Sequence, residues 1–357
     1  MGMLALACAG DPAPAHPTVA LVTIDTWRRD HFSAAHTPRL WALAEAGERF
    51  DDAWSPIGLT SPAHATMLTG ALPWEHGMEA NNHHGYRLAA EAETVAEAFA
   101  ARGWATGAFV SAWPAGPAGG LDQGFATFSG PASGERPGAV AVAEALAWLP
   151  DDQPAFVWVH VYEPHGPYEG QSGSDPERYA EEVLRADAAL APLIDALVSR
   201  RARVVVAADH GEVLLEERCG RQHERSTHDV VLRVPLVRWQ PEGQPQVHAQ
   251  RVGLNDVRAL LEGLPADQLP HRDAWVAESG TCEAGCSPGC RPDGLLGRDR
   301  VVIDPGGRWV RRPGRGVFTV GQPDPGGRAL LEAVPPMQPP AEAADAASLE
   351  ALGYRAP

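Results

Sequence analysis

Three separated segments place ligand-type side chains at or just after the ends of apolar runs. Asp25 follows residues 17–24 (PTVALVTI), His165 comes shortly after residues 155–161 (AFVWVHV), and Asp209-His210 closes residues 202–208 (ARVVVAA). Near-continuous apolar runs of this length read as strands buried on both faces, as in a parallel sheet. Ligands in open α/β sheets gather outside the carboxyl ends of the strands, so these segments converge on one rim. One Asp after a strand is ordinarily a turn or cap residue. Three such segments bearing carboxylate and imidazole suit a divalent cation with hard oxygen and nitrogen donors. Such a cation could neutralise charge on an anionic substrate and activate an oxygen nucleophile.

Positioning these residues takes alternating strands and helices. Helices are expected over 37–47 (TPRLWALAEAG, with Pro38 in the first turn and Gly47 as the stop), 91–102, 140–149, 179–198 and 254–264. Further strands are expected at 105–110 and 234–239. That alternation predicts an α/β class with a parallel sheet. After about residue 268 Gly, Pro and Arg dominate, with short strand candidates at 301–303, 309–310 and 316–320. The expected organisation is a leader over 1–15, a catalytic domain over 16–267, a small mostly β subdomain over 268–334 and a Pro/Ala-rich tail over 335–357.

The 357 residues are enough for one large domain with an appendage, and a hydrophobic content of 44% supplies a core. A formal charge of −17 argues against a nucleic-acid partner, although a bound cation can still reverse the local field for an anionic substrate. Every basic residue is Arg, so no lysine ammonium is available to grip that anion. No apolar run reaches the ~20 residues that a transmembrane helix needs. Residues 1–8 (MGMLALAC) are apolar with small residues before Cys8, like a bacterial lipoprotein site, but short and without a basic residue. Export to the periplasm or cell surface with a lipid anchor at Cys8 is one expectation; a disordered leader on a cytoplasmic protein is the other. Cys219, Cys282, Cys286 and Cys290 form an even set that suits two disulfides, with a thiolate metal site as the rival reading. The sequence sets no oligomeric state.

Residues 22–78 resemble the N-terminal half of the sulfatase-like branch of the alkaline phosphatase superfamily. Asp25, Arg28 and Asp30 follow the first strand, and a T-P-x-L-x-x-L-A-x-x-G-x-x-F helix runs from Thr37 to Phe50. The nucleophile loop appears as Thr60-Ser61-Pro62-Ala63-His64, and a T-G-x-x-P-x-x-H-G turn spans Thr69 to Gly77. The likeness continues through Gly107-Ala108-Phe109-Val110, His160 to Tyr168, Ala208 to Glu212, Leu232 to Leu236 and the closing LEALGY at 349–354. It covers nearly the whole chain, and its specificity lies in the motifs' common order.

The resemblance implies an alkaline-phosphatase-like three-layer α/β/α sandwich. It implies a hydrolase of phosphate, phosphonate or sulfate esters, with small-molecule, glycan or lipid-head-group substrates. Asp25, Thr60, Asp209 and His210 would hold a divalent ion, with Zn or Mn favoured and Ca or Mg possible. Thr26 stands where sulfatases often have a second acidic ligand, which disfavours an oxygen-rich calcium site. Thr60 stands where sulfatases carry the Cys or Ser converted to formylglycine, a route closed to threonine. A threonine there is similar to nucleotide phosphodiesterases and phosphoglycerol transferases, in which it attacks phosphorus. Ser61 and Pro62 are expected to cap and open the helix through Leu68, placing the phosphoryl group at a helix N-terminus. Asn81 would donate to a nonbridging oxygen, and His165 would contact the ester or leaving group. Glu163 replaces the usual Asp beside His165. His223 would ligate a second metal or assist the leaving group. His64 and His228 are weaker candidates, and His83 and His84 read as solvated turn residues. A phosphoryl-group transferase and an inactive binding protein on the same fold are the alternatives.

Overall fold

The computed structural model describes residues 16–82, 85–169, 173–216, 223–280 and 298–336. The leader, all five cysteines, His83, His84 and the tail from residue 337 lie outside the described residues.

Among the described residues the main sheet has eight strands: β1 (Thr18–Ile24), β2 (Glu48–Trp54), β3 (Ala105–Val110), β4 (Thr127–Ser129), β5 (Ala155–Val161), β6 (Arg203–Ala208), β7 (Leu236–Trp239) and β8 (Gln246–Gly253). Their order is β4-β3-β5-β1-β6-β7-β2-β8. The pairs from β4 to β6 are parallel, and β7 runs antiparallel to both of its neighbours. All seven residues of β1 and of β5 are buried, as the apolar runs require of strands covered on both faces. One register line matters for function: Ile24 lies opposite both Val161 and Ala208. Asp25 and Asp209 therefore leave the sheet at the same level.

Among the described residues the helices are α1 (Pro38–Glu45), α2 (Thr60–Thr69), α3 (Pro73–His76), α4 (Val95–Ala101), α5 (Gly138–Trp148), α6 (Asp175–Ser199), α7 (Asp229–Leu232), α8 (Val257–Glu262) and α9 (Gly327–Ala333). Helices α1, α5 and α6 pack together on one side of the sheet, and α2, α4 and α8 on the other. This makes three layers around one apolar core.

Several boundaries differ from the sequence expectation for local reasons. The helix expected from residue 91 starts at Val95, because Thr94 and Glu97 satisfy each other's backbone N–H groups. The helix expected from residue 179 starts at Asp175, where Pro176 fits the first turn and Glu177 accepts from the Ser174 N–H at 2.8 Å. The segment from Leu254 opens as a 3₁₀ turn before α8. The strand expected at 234–239 shortens to β7, since Pro235 has no N–H to give. Strand β2 (ERFDDAW) was hidden by its charges, which find partners within the fold. Buried Glu48 receives Arg238 Nε at 2.9 Å and Nη2 at 2.7 Å, with His248 Nε2 at 3.0 Å.

The C-terminal part is a small antiparallel sheet, β9 (Trp275–Glu278), β10 (Arg300–Asp304), β11 (Gly307–Arg312) and β12 (Gly316–Gly321), in the order β12-β11-β10-β9. Helix α9 packs on β10 and β11. This sheet shares an apolar cluster with the main body: Trp275, Val301 and Val310 meet Trp54, Val213 and Val231. No helix of the described residues is long and apolar enough to cross a membrane.

Candidate active site

The site is built where β1 and β6 end. Asp25, Asp209 and His210 are fully buried, and one donor atom from each lies within 4.8 Å of the others. The turn after Asp25 is unusual, because Thr26 has φ of 52°, a left-handed conformation that a β-branched residue rarely adopts. Two contacts hold it there. The Thr26 N–H donates to Asp209 Oδ1 at 3.2 Å, and its carbonyl accepts from the Tyr179 hydroxyl at 2.7 Å. That hydroxyl in turn accepts from the Arg28 N–H at 2.8 Å, so helix α6 fixes the strand end on which Asp25 sits.

Thr60 opens α2 directly, with Leu59 rather than Ser61 in the cap position. The Thr60 hydroxyl donates to Asp25 Oδ2 at 3.2 Å. Ser61 turns away to donate to the Pro114 carbonyl at 2.7 Å. Its backbone N–H donates to Asn81 Oδ1 at 2.9 Å, which leaves the Asn81 NH₂ as that side chain's donor group. Gly58 is needed here: a Cβ would lie 2.6 Å from the His223 carbonyl oxygen, so the nucleophile loop runs against the His223 segment.

The donor set fits a divalent cation. Asp25 Oδ1, Asp209 Oδ2 and His210 Nε2 are buried and have no hydrogen-bond partner. Burial pushes the Asp25 carboxyl up, and it pushes Asp209 up to about 7 with the adjacent Asp25 charge adding to the shift. Burial likewise lowers His210 to about 4, which keeps its imidazole neutral and able to coordinate. Two carboxylates forced together in a dry pocket, each with an unused oxygen, present the arrangement a dication stabilises.

His223 is buried and stacked on His210 at a centroid distance of 4.4 Å. Burial disfavours its charged form, but the Glu212 carboxylate, 3.3 Å from Nδ1, outweighs that and lifts it to about 9. Half-buried His165 meets His223 edge-on at 5.2 Å and stacks on Tyr162 at 4.3 Å. Burial and the neighbouring His223 lower it to about 4. Glu163 points into the scaffold, accepting from the Gly138 N–H at 2.6 Å. His228 caps α7, accepting from the Val230 N–H at 3.3 Å.

Two neighbouring cavities share His165 and Pro167. One of 480 Å³ is lined by Tyr168, Arg178, Glu212 and His223, and one of 560 Å³ by Glu135, Arg136, Tyr162 and Glu169. Helix α6 supplies part of both walls.

Sequence reasoning missed His160. It lies on β5 opposite Thr23, its Nε2 is 3.5 Å from Asp25 Oδ2, and both ring nitrogens lack hydrogen-bond partners. With His64 and Asp209 it forms a second group of ligand-type atoms beneath the first. His64 itself is engaged, with Nδ1 2.8 Å from the Thr60 carbonyl and Nε2 3.0 Å from Thr23 Oγ1. The signal was a lone imidazole inside an otherwise apolar strand.

A sheet covered on both faces, with an aspartate–histidine cluster at its strand ends, is a fold shared with several solved structures. A protein of the alkaline phosphatase superfamily from Vibrio parahaemolyticus superposes with a TM-score of 0.62 at 14% identity, covering 88% of this chain and 82% of its own. The phosphonate monoester hydrolase of Agrobacterium radiobacter gives a TM-score of 0.67 at 18% identity over 94% of both chains. The sulfatase family signature matches residues 17–261, and the chain belongs to the sulfatase family, a family of ester hydrolases. Human arylsulfatase A is 26% identical over 313 residues, an alignment that covers 66% of this chain and 60% of that enzyme.

Proposed function

We propose that the chain is a metal-dependent hydrolase of phosphate or phosphonate esters in which Thr60 is the nucleophile. The observation that carries this reading is the contact of the Thr60 hydroxyl with Asp25, at the edge of three unpartnered ligand atoms. Asp25, Asp209 and His210 would hold the ion, with Thr60 joining them. When bound, the cation supplies charge neutralisation and a more acidic Thr60 hydroxyl. Zn or Mn suits a site with one imidazole and few carboxylates better than Ca.

The residues then divide the work. Asp25 Oδ2 accepts the Thr60 hydroxyl proton and directs Oγ1 toward phosphorus. As the Oγ1–P bond forms, the bond from phosphorus to the leaving oxygen breaks. The Asn81 NH₂ faces the charge that builds on a nonbridging oxygen. His223, held protonated by Glu212, gives its proton to the departing oxygen, and His165 packs the leaving group from the cavity side. Water then attacks phosphorus and gives a proton to His223, and the Oγ1–P bond breaks as Oγ1 recovers its proton from Asp25. The phosphonate monoester hydrolase with the same fold supports phosphorus as the target, and a threonine cannot give the formylglycine of a true sulfatase.

The test is a panel of nitrophenyl phosphate, bis-nitrophenyl phosphate, a nitrophenyl phenylphosphonate and nitrophenyl sulfate, each with Zn, Mn, Mg or Ca. Turnover of a phosphorus ester above the sulfate ester is expected. Preference for sulfate refutes the substrate class, and faster transfer to added glycerol than to water makes the protein a transferase.

A further inference from the structure

We propose that Arg298, in the segment leading into β10, is a positioning residue that holds the Asn81 loop against the backbone of the nucleophile. The inference deepens the reading of Thr60 and Asn81 given above and rests on it for its catalytic consequence. Arg298 is 6% exposed, and Glu79 and Glu278, between which it lies, are each 1% exposed. Its Nη1 donates to the Glu79 carbonyl at 2.6 Å, and its Nη2 donates to Glu79 Oε2 at 2.9 Å and lies 3.1 Å from Glu278 Oε2. One guanidinium thus grips both the main chain and the side chain of Glu79, two residues before Asn81. Asn81 Oδ1 in turn accepts the Ser61 N–H, one residue after Thr60.

The other flank of Thr60 is gripped by the same strand end. The Glu278 N–H donates to the Pro56 carbonyl at 2.9 Å, and Glu278 forms a bridge with Ile57. Gly280 lies against Leu59, the residue before Thr60, so closely that a Cβ there would be 2.2 Å from Leu59 Cγ. Ser279 and Asp299 tie the two arms together, with the Ser279 N–H on the Asp299 carbonyl and the Asp299 N–H on Ser279 Oγ, both at 2.9 Å. The small sheet therefore does more than cover the main body. Its β9–β10 end brackets the nucleophile, and Arg298 is the side chain that links the bracket to the anion-facing Asn81. Lysine could keep the charge but not the planar fork that reaches a carbonyl and two carboxylates together.

Two measurements on the full chain test this. In hydrogen exchange, Arg298→Lys is expected to speed exchange of the peptide containing Ser61 while the β1 peptide stays as protected as in the wild type. Glu79→Gln, which keeps acceptors for the guanidinium, falls between the two. In kinetics with the preferred nitrophenyl ester, Arg298→Lys lowers kcat about ten-fold and changes KM by less than about two-fold, as a displaced transition-state donor would. Asn81→Ala lowers kcat more, and adding Arg298→Lys to it has no further effect, because both act on one group. Unchanged Ser61 protection, or additive losses in the double variant, overturns the proposal and leaves Arg298 as a dock for the small sheet. If Asn81→Ala and Thr60→Ala leave turnover intact while Arg298→Lys still exposes Ser61, the clamp holds and the reading of Thr60 as nucleophile and Asn81 as donor fails.

Discussion

The hydroxyl of Thr60 lies 3.2 Å from Asp25 Oδ2, and the two residues arrive from different layers of the fold. Asp25 is delivered by the end of β1, in register with Ala208 ahead of Asp209, and Thr60 by the first turn of α2. A hydroxyl held on a buried carboxylate that also has an unused oxygen is an arrangement for metal-assisted nucleophilic attack.

The cation site predicts a specific response to metal. Zn or Mn added to chelator-treated protein should raise the melting temperature, by the equivalent of about 3 kcal/mol at a hundred-fold excess over Kd. Asp209→Asn should abolish that response. In the metal-free state the same variant should be no less stable than the wild type, since it removes one of two crowded carboxylates and keeps the Oδ1 that accepts from Thr26. A calorimetric titration of both proteins decides the matter; equal metal stabilisation would remove Asp209 from the ligand set.

A leaving-group dependence should expose the role of His223. Nitrophenolate departs without help, whereas an alkoxide needs a proton, so His223→Gln should cost about a hundred-fold in kcat/KM for a methyl ester and under about ten-fold for the nitrophenyl ester. Equal losses on both would make His223 a structural partner of His210 and Glu212 instead of an acid.

Acid stability should report on a histidine remote from the ligand set. Buried His76 accepts from the Met78 N–H through Nδ1 at 3.1 Å and meets Thr66 Oγ1 through Nε2 at 3.1 Å. Burial lowers it to about 4 from an ordinary 6.5, so between those values the unfolded chain binds the extra proton. Its contribution is whole above pH 6.5 and declines as pH falls toward 4, by at most about 3 kcal/mol. His76→Asn, which keeps an acceptor but cannot protonate, should flatten urea-unfolding free energy against pH in that window. An unchanged slope would assign the acid sensitivity elsewhere.

Much of the scaffold was legible because apolar runs of strand length announce themselves. Strands β1, β3, β5 and β6 were read this way, and with them the parallel order that carries Asp25 and Asp209 to one rim. Strand β2 was not, because four of its first five residues are charged and the partners Arg238, His248 and Arg251 are remote in sequence. Asp25, Asp209 and His210 were approachable from their places at the ends of apolar runs, and Thr60 only through the family resemblance. His160 was not, since nothing in AFVWVHV says which face of β5 meets Asp25 until the register with β1 is known. The grip of Arg298 on Glu79 was equally hidden, because 219 residues separate the two.

The central claim, that Thr60 is the nucleophile, is tested most directly by rapid acid quenching of the enzyme during turnover of its best phosphorus ester, followed by peptide mass mapping. The account predicts a phosphorylated peptide carrying the modification on Thr60, absent from Thr60→Ala, which should also lose turnover. Wild-type rates in Thr60→Ala, or a phosphoryl group trapped on another residue, would contradict it.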